Sequence, residues 1–107
     1  MFKLNILGHD WKVYLHEDEE FCSKYKDESG DAAFVMPIAK EIHFNEEELT
    51  LVVVKHELVH CFYAALCVEA AQLTLDQQEE VFCELIANHG DRILRLARTL
   101  YRELKKL

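Results

Sequence analysis

The chain has 107 residues, half of them hydrophobic, with six Phe, four Tyr and one Trp, and a formal net charge of −8. That length suffices for one compact domain and not for two, and the apolar content excludes global disorder. The acidic balance argues against generic nucleic-acid binding, which needs a basic surface.

The chain opens with "FKLNI" and "WKVYL", each alternating apolar and polar residues. Phe2, Leu4, Ile6 and then Trp11, Val13, Leu15 fall on one face, and "LGHD" between them supplies a turn, so a β-hairpin is predicted. The N-terminus shows no basic region followed by an apolar run, and no stretch approaches the roughly eighteen apolar residues of a membrane span. A cytoplasmic location follows as the expectation. Cys22, Cys61, Cys67 and Cys83, with no CxxC spacing, are then expected as reduced, buried structural thiols. "HEDEEFCSKYKDESGD" is charged and aperiodic and reads as a loop; its "DESGD" is too short and poorly spaced for a calcium site and reads as a turn. "AAFVM" and "EIHF" read as two short strands joined across Pro37 to Lys40. His9 and His16 sit in or beside turns and need no function. His43 could approach a metal from its strand, but it reads more simply as a half-exposed strand histidine.

Asn45 is expected to cap a helix whose first turn is Glu46, Glu47, Glu48 and which runs to about Cys67. Thr74 with Gln77 makes a capping box for a helix from Leu75. Gly90 marks its end or a weak point, and "DRILRLARTLYRELKKL" beyond it is helical. Arg92, Arg95, Arg98, Arg102, Lys105 and Lys106 read as the solvated face of that segment, with a docking surface as the sharper alternative. Strands precede helices, which defines an α+β class: a small antiparallel or mixed sheet of about four short strands, packed by one central helix and one or two C-terminal helices. Residues 1–107 are expected to form a single domain.

"HELVH" at 56–60 is the motif that carries chemistry. HExxH on a helix sets His56 and His60 one turn apart on one face, where both imidazoles can reach one cation. Glu57, rotated by about 100°, stands beside that cation and can take a proton from a bound water. A catalytic zinc needs a third protein ligand. Glu69, Glu79, Glu80, Glu84, His89 and Cys83 are the downstream candidates. Glu69 is too close in sequence to fold back, and "QQEEVFCELIA" is better placed. Glu80 and Glu84 lie one turn apart, so one could ligate while the other accepts a hydrogen bond from a ligating histidine. The apolar stripe of Val81, Phe82, Leu85 and Ile86 is centred nearly opposite them, with Glu79 nearer its border.

HExxH followed by a second helix bearing Glu resembles the gluzincin type of zinc metallopeptidase. With "FKLNILGHDWKVYL", "KEIHFN" and "EVFCELIA" it is similar to small phage- and prophage-encoded HExxH proteins in the style of the ImmA/IrrE metallopeptidases. The resemblance implies one Zn²⁺ per chain, held by His56, His60 and Glu80, with Glu84 supporting a ligand and Glu57 as general base. It implies a protein or peptide substrate aligned by strand addition on an exposed "EIHF" edge. Tyr63, Tyr101 and His89 are the candidates for oxyanion stabilisation. Two function classes stand: a metallopeptidase, or a zinc-binding or metal-free interaction module that keeps the fold without turnover.

Overall fold

The computed structural model describes residues 1–29, 32–66 and 73–107, with side chains throughout these ranges except 26–29. Cys67 and Glu69 lie outside the described residues. The elements in chain order are β1 (Phe2–Ile6), β2 (His9–His16), α1 (Asp18–Ser29), β3 (Ala33–Met36), β4 (Glu41–Asn45), a 3₁₀ turn (Glu46–Glu48), α2 (Leu51–Leu66) and α3 (Leu75–Lys105). The α+β class expected from the sequence is the one observed, with a four-stranded mixed sheet.

The opening hairpin forms in the expected register, with Phe2 opposite Val13 and Leu4 opposite Trp11. Its turn is only Leu7-Gly8, at φ 50° and 86°, the two positive values that a two-residue hairpin of right-handed twist requires. The Asn5 side chain holds it, accepting from the Gly8 N–H at 3.2 Å.

The sheet order is β1-β2-β4-β3, with β4 parallel to β2 and antiparallel to β3. This overturns the expectation that "EIHF" is an exposed edge. Both edges of β4 are paired, so it cannot accept a substrate strand; the free edges belong to β1 and β3. The parallel β2–β4 ladder needs a crossover, and α1 supplies it.

Of the expected loop over 16–31, the residues Asp18–Ser29 therefore form a helix. Phe21, fully buried, and Tyr25 one turn later dock it on the sheet face formed by His43 and Phe34, while Asp18, Glu19 and Glu20 suit its N-terminal dipole. Asn45, also fully buried, ties α1 to β4 through its Nδ2, which donates to Asp18 Oδ1 at 2.8 Å.

On the opposite face lies the main core. Ile6, Trp11, Val13, Ile42 and Phe44 from the sheet meet Val54, Leu58, Cys61 and Phe62 of α2 and Leu85, Ile93, Ala97, Leu100 and Leu104 of α3. Asn45 caps only the 3₁₀ turn, its Oδ1 accepting from Glu47 N–H at 3.1 Å. Leu49 then turns extended, and α2 starts afresh behind Thr50, whose Oγ1 accepts from Val53 N–H at 3.2 Å. The later start corrects the expected single helix from Glu46.

The capping box of α3 is present, with Gln77 N–H donating to Thr74 Oγ1 at 3.2 Å and Thr74 N–H to Gln77 Oε1 at 2.9 Å. The helix then runs 31 residues straight through Gly90. The expected break does not occur because Leu85 and Ile93, on either side of the glycine, are both buried in one core. None of the described helices is long and apolar enough to cross a membrane.

Candidate metal centre

The buried residues of α2 are Val54, Glu57, Leu58, Cys61 and Phe62. That spacing turns one side of the helix into the core and leaves His56 and His60 exposed on the other. Their Nε2 atoms approach to 3.2 Å, and the rings stand nearly edge-on, at 75°. The separation is close to the edge of about 3.3 Å that a tetrahedron with zinc–nitrogen arms of 2.0–2.1 Å demands. Partial burial, and then His56 beside it, holds the His60 imidazole below its ordinary range, so its lone pair stays available to a cation. The histidine pair thus fits a zinc ion.

A cavity of about 490 Å³ adjoins the pair, lined by His56, Val59, His60, Tyr63 and Phe82. Phe82 leans across from α3 onto Tyr63, with ring centroids 5.2 Å apart. It is therefore an aromatic residue, and not a carboxylate, that α3 turns toward the histidines. Glu80 and Glu84 line a neighbouring groove with Leu66 and Val81. Glu84 accepts from Asn88 Nδ2 at 2.6 Å. Glu79 lines a third groove with Phe82, Cys83, Ile86 and Ala87. Among the described residues, no group of three or more His, Cys, Asp or Glu is assembled to hold a metal. The two histidines are brought together, while Glu79, Glu80 and Glu84 of α3 line other grooves.

Glu57 is 7% exposed. Burial pushes its carboxyl above the usual carboxylate range, and the adjacent His56 offsets part of the rise. The Cys61 thiol, fully buried one turn on, is pushed up by burial and by Glu57, which makes it inert as a nucleophile. No disulfide joins the described cysteines, but only Cys61 is buried; Cys22 is half-buried and Cys83 is exposed, which corrects the expectation for those two.

Of the oxyanion candidates, Tyr63 lines the histidine cavity. His89 packs on Phe62 at 5.8 Å, its Nδ1 buried without a hydrogen-bond partner among the described residues. Tyr101 lies far along α3, under the Lys105 ammonium. His43 is on the sheet face opposite α2 and does not approach the pair. The residues that sequence reasoning missed here are Val59 and Phe82. Their signal was available: both are apolar and both fall beside the buried stripes of their helices.

No family model, no curated protein and no solved structure matches the chain.

Proposed function

We propose that the chain is a minimal metallopeptidase-type zinc protein acting on a peptide or protein, with His56, His60 and Glu80 as the residues that would hold the ion. The observation that carries this reading is the convergence of two exposed Nε2 atoms at 3.2 Å, with non-coplanar rings, beside an apolar cavity. Zinc, when bound, would supply Lewis acidity toward a peptide carbonyl and a water of near-neutral acidity. Glu57 is the general base. A carboxylate held above its ordinary range by burial is a stronger base than a solvated one, and it would take the proton of the attacking water and return it to the leaving amine. Val59, Tyr63 and Phe82 exclude water and receive an apolar side chain of the substrate. Glu80 is the candidate third ligand, although in this structure it lines a separate groove of α3 with Glu84 and would have to turn toward the histidines; Glu79 is the alternative acid. A substrate strand adds at an edge, β1 or β3, and no longer at β4.

The second reading has its own observation. Glu57 faces inward without a described hydrogen-bond partner, and the three acids of α3 line other grooves, as suits a protein-interaction module that does not turn over. Metal content by mass spectrometry, on protein purified without chelator, separates the two. One zinc per chain, lost in His60→Ala and in Glu80→Ala, supports the metal centre. Hydrolysis of a peptide library that disappears in Glu57→Gln, with zinc retained, supports the enzyme. Zinc without turnover leaves the interaction module, and no zinc uptake removes the metal reading altogether.

A further inference from the structure

The sheet face covered by α1 carries a polar chain that the HELVH site does not use. His16 Nδ1 lies 3.1 Å from Glu20 Oε1 of α1. His16 Nε2 lies 2.8 Å from His43 Nδ1, and His43 Nε2 lies 3.0 Å from Glu41 Oε1. Four titratable groups from β2, α1 and β4 thus form one line: carboxylate, imidazole, imidazole, carboxylate.

Counting protons decides its state. An ionised carboxylate only accepts, and a neutral imidazole has a single N–H. The two outer contacts therefore consume the N–H of His16 Nδ1 and the N–H of His43 Nε2. Two neutral rings would then face each other lone pair to lone pair at 2.8 Å. The central contact becomes a hydrogen bond only with one further proton. We infer that His16 and His43 form a single proton-binding site, in which an imidazolium at His16 donates its Nε2–H to His43 Nδ1, joining β2 to β4, and its Nδ1–H to Glu20 of α1 as a charged pair.

The geometry supports a proton there in place of a metal. The two ring planes agree to 8°, and their centroids are 5.1 Å apart, about one ring's width more than the nitrogen separation, so the rings lie edge to edge with the N–H···N bond in line. A zinc ion would hold the nitrogens about 3.3 Å apart. The contrast with the edge-on pair on α2 is direct. His43 is the acceptor. It is 5% exposed and lies between the rings of Tyr14 at 4.7 Å and Phe34 at 4.8 Å. Burial holds its imidazole below the ordinary range, which keeps it neutral.

The charged surroundings favour a single cation at His16. From α1 come Glu20, with Lys24 on it at 3.4 Å, and Asp18, held by Asn45. Tyr25 of α1 and Tyr14 of β2 face the rings. From β4 comes Glu41, opposite Lys12 of β2 in the ladder. The residue that β3 brings against the pair is Phe34, which does not titrate. Loss of the shared proton sets two lone pairs against each other, and a second proton sets two N–H groups against each other. The bond between the two rings therefore exists only between these limits, and the charged contact of His16 with Glu20 that holds α1 weakens when the shared proton is lost.

Nitrogen-15 NMR of the histidine rings in the full-length protein tests this. At near-neutral pH both nitrogens of His16 are expected in the protonated range, His43 as its Nε2–H tautomer, and a through-bond coupling is expected between His16 Nε2 and His43 Nδ1. Amide protection over Phe21 to Tyr25, corrected for the intrinsic pH dependence of exchange, should be greatest there and fall about tenfold as the shared proton is lost, the equivalent of one charge-assisted hydrogen bond. His43→Phe keeps the ring stack and should flatten that pH dependence. A neutral His16 across the range in which the protein stays folded, or absence of the coupling, overturns the inference. Both readouts come from the wild-type protein, so a variant that fails to fold leaves the decision intact.

Discussion

Glu57 is the residue at which chemistry and folding pull in opposite directions. Its carboxyl is buried and held above the usual carboxylate range, chiefly by desolvation. The sign of the pH linkage follows. The unfolded chain releases this proton at the ordinary value, and the folded chain releases it only at a higher one. The contribution to stability is therefore fully present below the unfolded value and lost as pH rises through the folded one. At neutral pH the folded protein carries a poorly solvated carboxylate, and Glu57→Gln should remove that cost. The variant is expected to be more stable than wild type by about 1 kcal/mol, the low end for an unpaired buried polar group because His56 lies beside it. The difference should vanish when the pH falls below the ordinary carboxylate range. Urea melts of both proteins at neutral and acid pH check this. A Gln variant that is less stable at neutral pH would mean that the carboxylate is well paired after all. The same basicity is what the proposed general-base role would draw on.

The elements separate what a sequence displays locally from what only assembly decides. The start of α3 was legible because a capping box is complete within four residues, Thr74 to Gln77. Thr74→Ala should lower stability by about 1 kcal/mol, read by chemical denaturation. The passage through Gly90 was not legible. A glycine costs a helix about 1 kcal/mol relative to alanine, and whether that breaks the helix depends on the core beneath it, where Leu85 and Ile93 are both buried. An added Cβ at Gly90 meets only Ile86 Cγ2, at 3.9 Å, an ordinary contact. Gly90→Ala should thus raise stability by about 0.5–1 kcal/mol, and a loss in the same denaturation experiment would mean that α3 needs the glycine to bend. Helix α1 stayed hidden for a related reason. Two aromatics one turn apart, Phe21 and Tyr25, are too sparse a stripe to show in a charged segment, and they count only once Phe34 and His43 stand beneath them. The central position of β4 was hidden too, because its parallel pairing with β2 joins residues on either side of a helix, and a strand's own pattern does not name its neighbours.

At the scale of the whole molecule, one sheet separates two histidine pairs that differ in every geometric respect. The pair on α2 is exposed, edge-on and spaced for a metal ion; the pair under α1 is shielded, coplanar and spaced for a proton. HELVH announced the first pair, since both ligands sit on one helix four residues apart. The second joins His16 and His43 across a parallel ladder, so no linear motif could announce it. The acids of α3 fall between these cases. Their order along the helix was readable, but the facing of the helix was set by Phe82 and the core stripe. If the α2 pair holds zinc, the ion binds the folded chain alone, because the unfolded chain does not keep His56 and His60 one helical turn apart. Zinc at about a hundredfold excess over its dissociation constant should then add about 2.7 kcal/mol of stability. For a domain of this size that raises the melting temperature by on the order of 10–20 °C. Thermal scans with zinc, and with zinc plus a chelator, measure this directly. The rise should disappear in His60→Ala and persist in His43→Phe, since the sheet stands between the two pairs. A rise that His43→Phe abolishes would place the ion under α1. No rise in the wild type would leave HELVH as one face of an ordinary amphipathic helix.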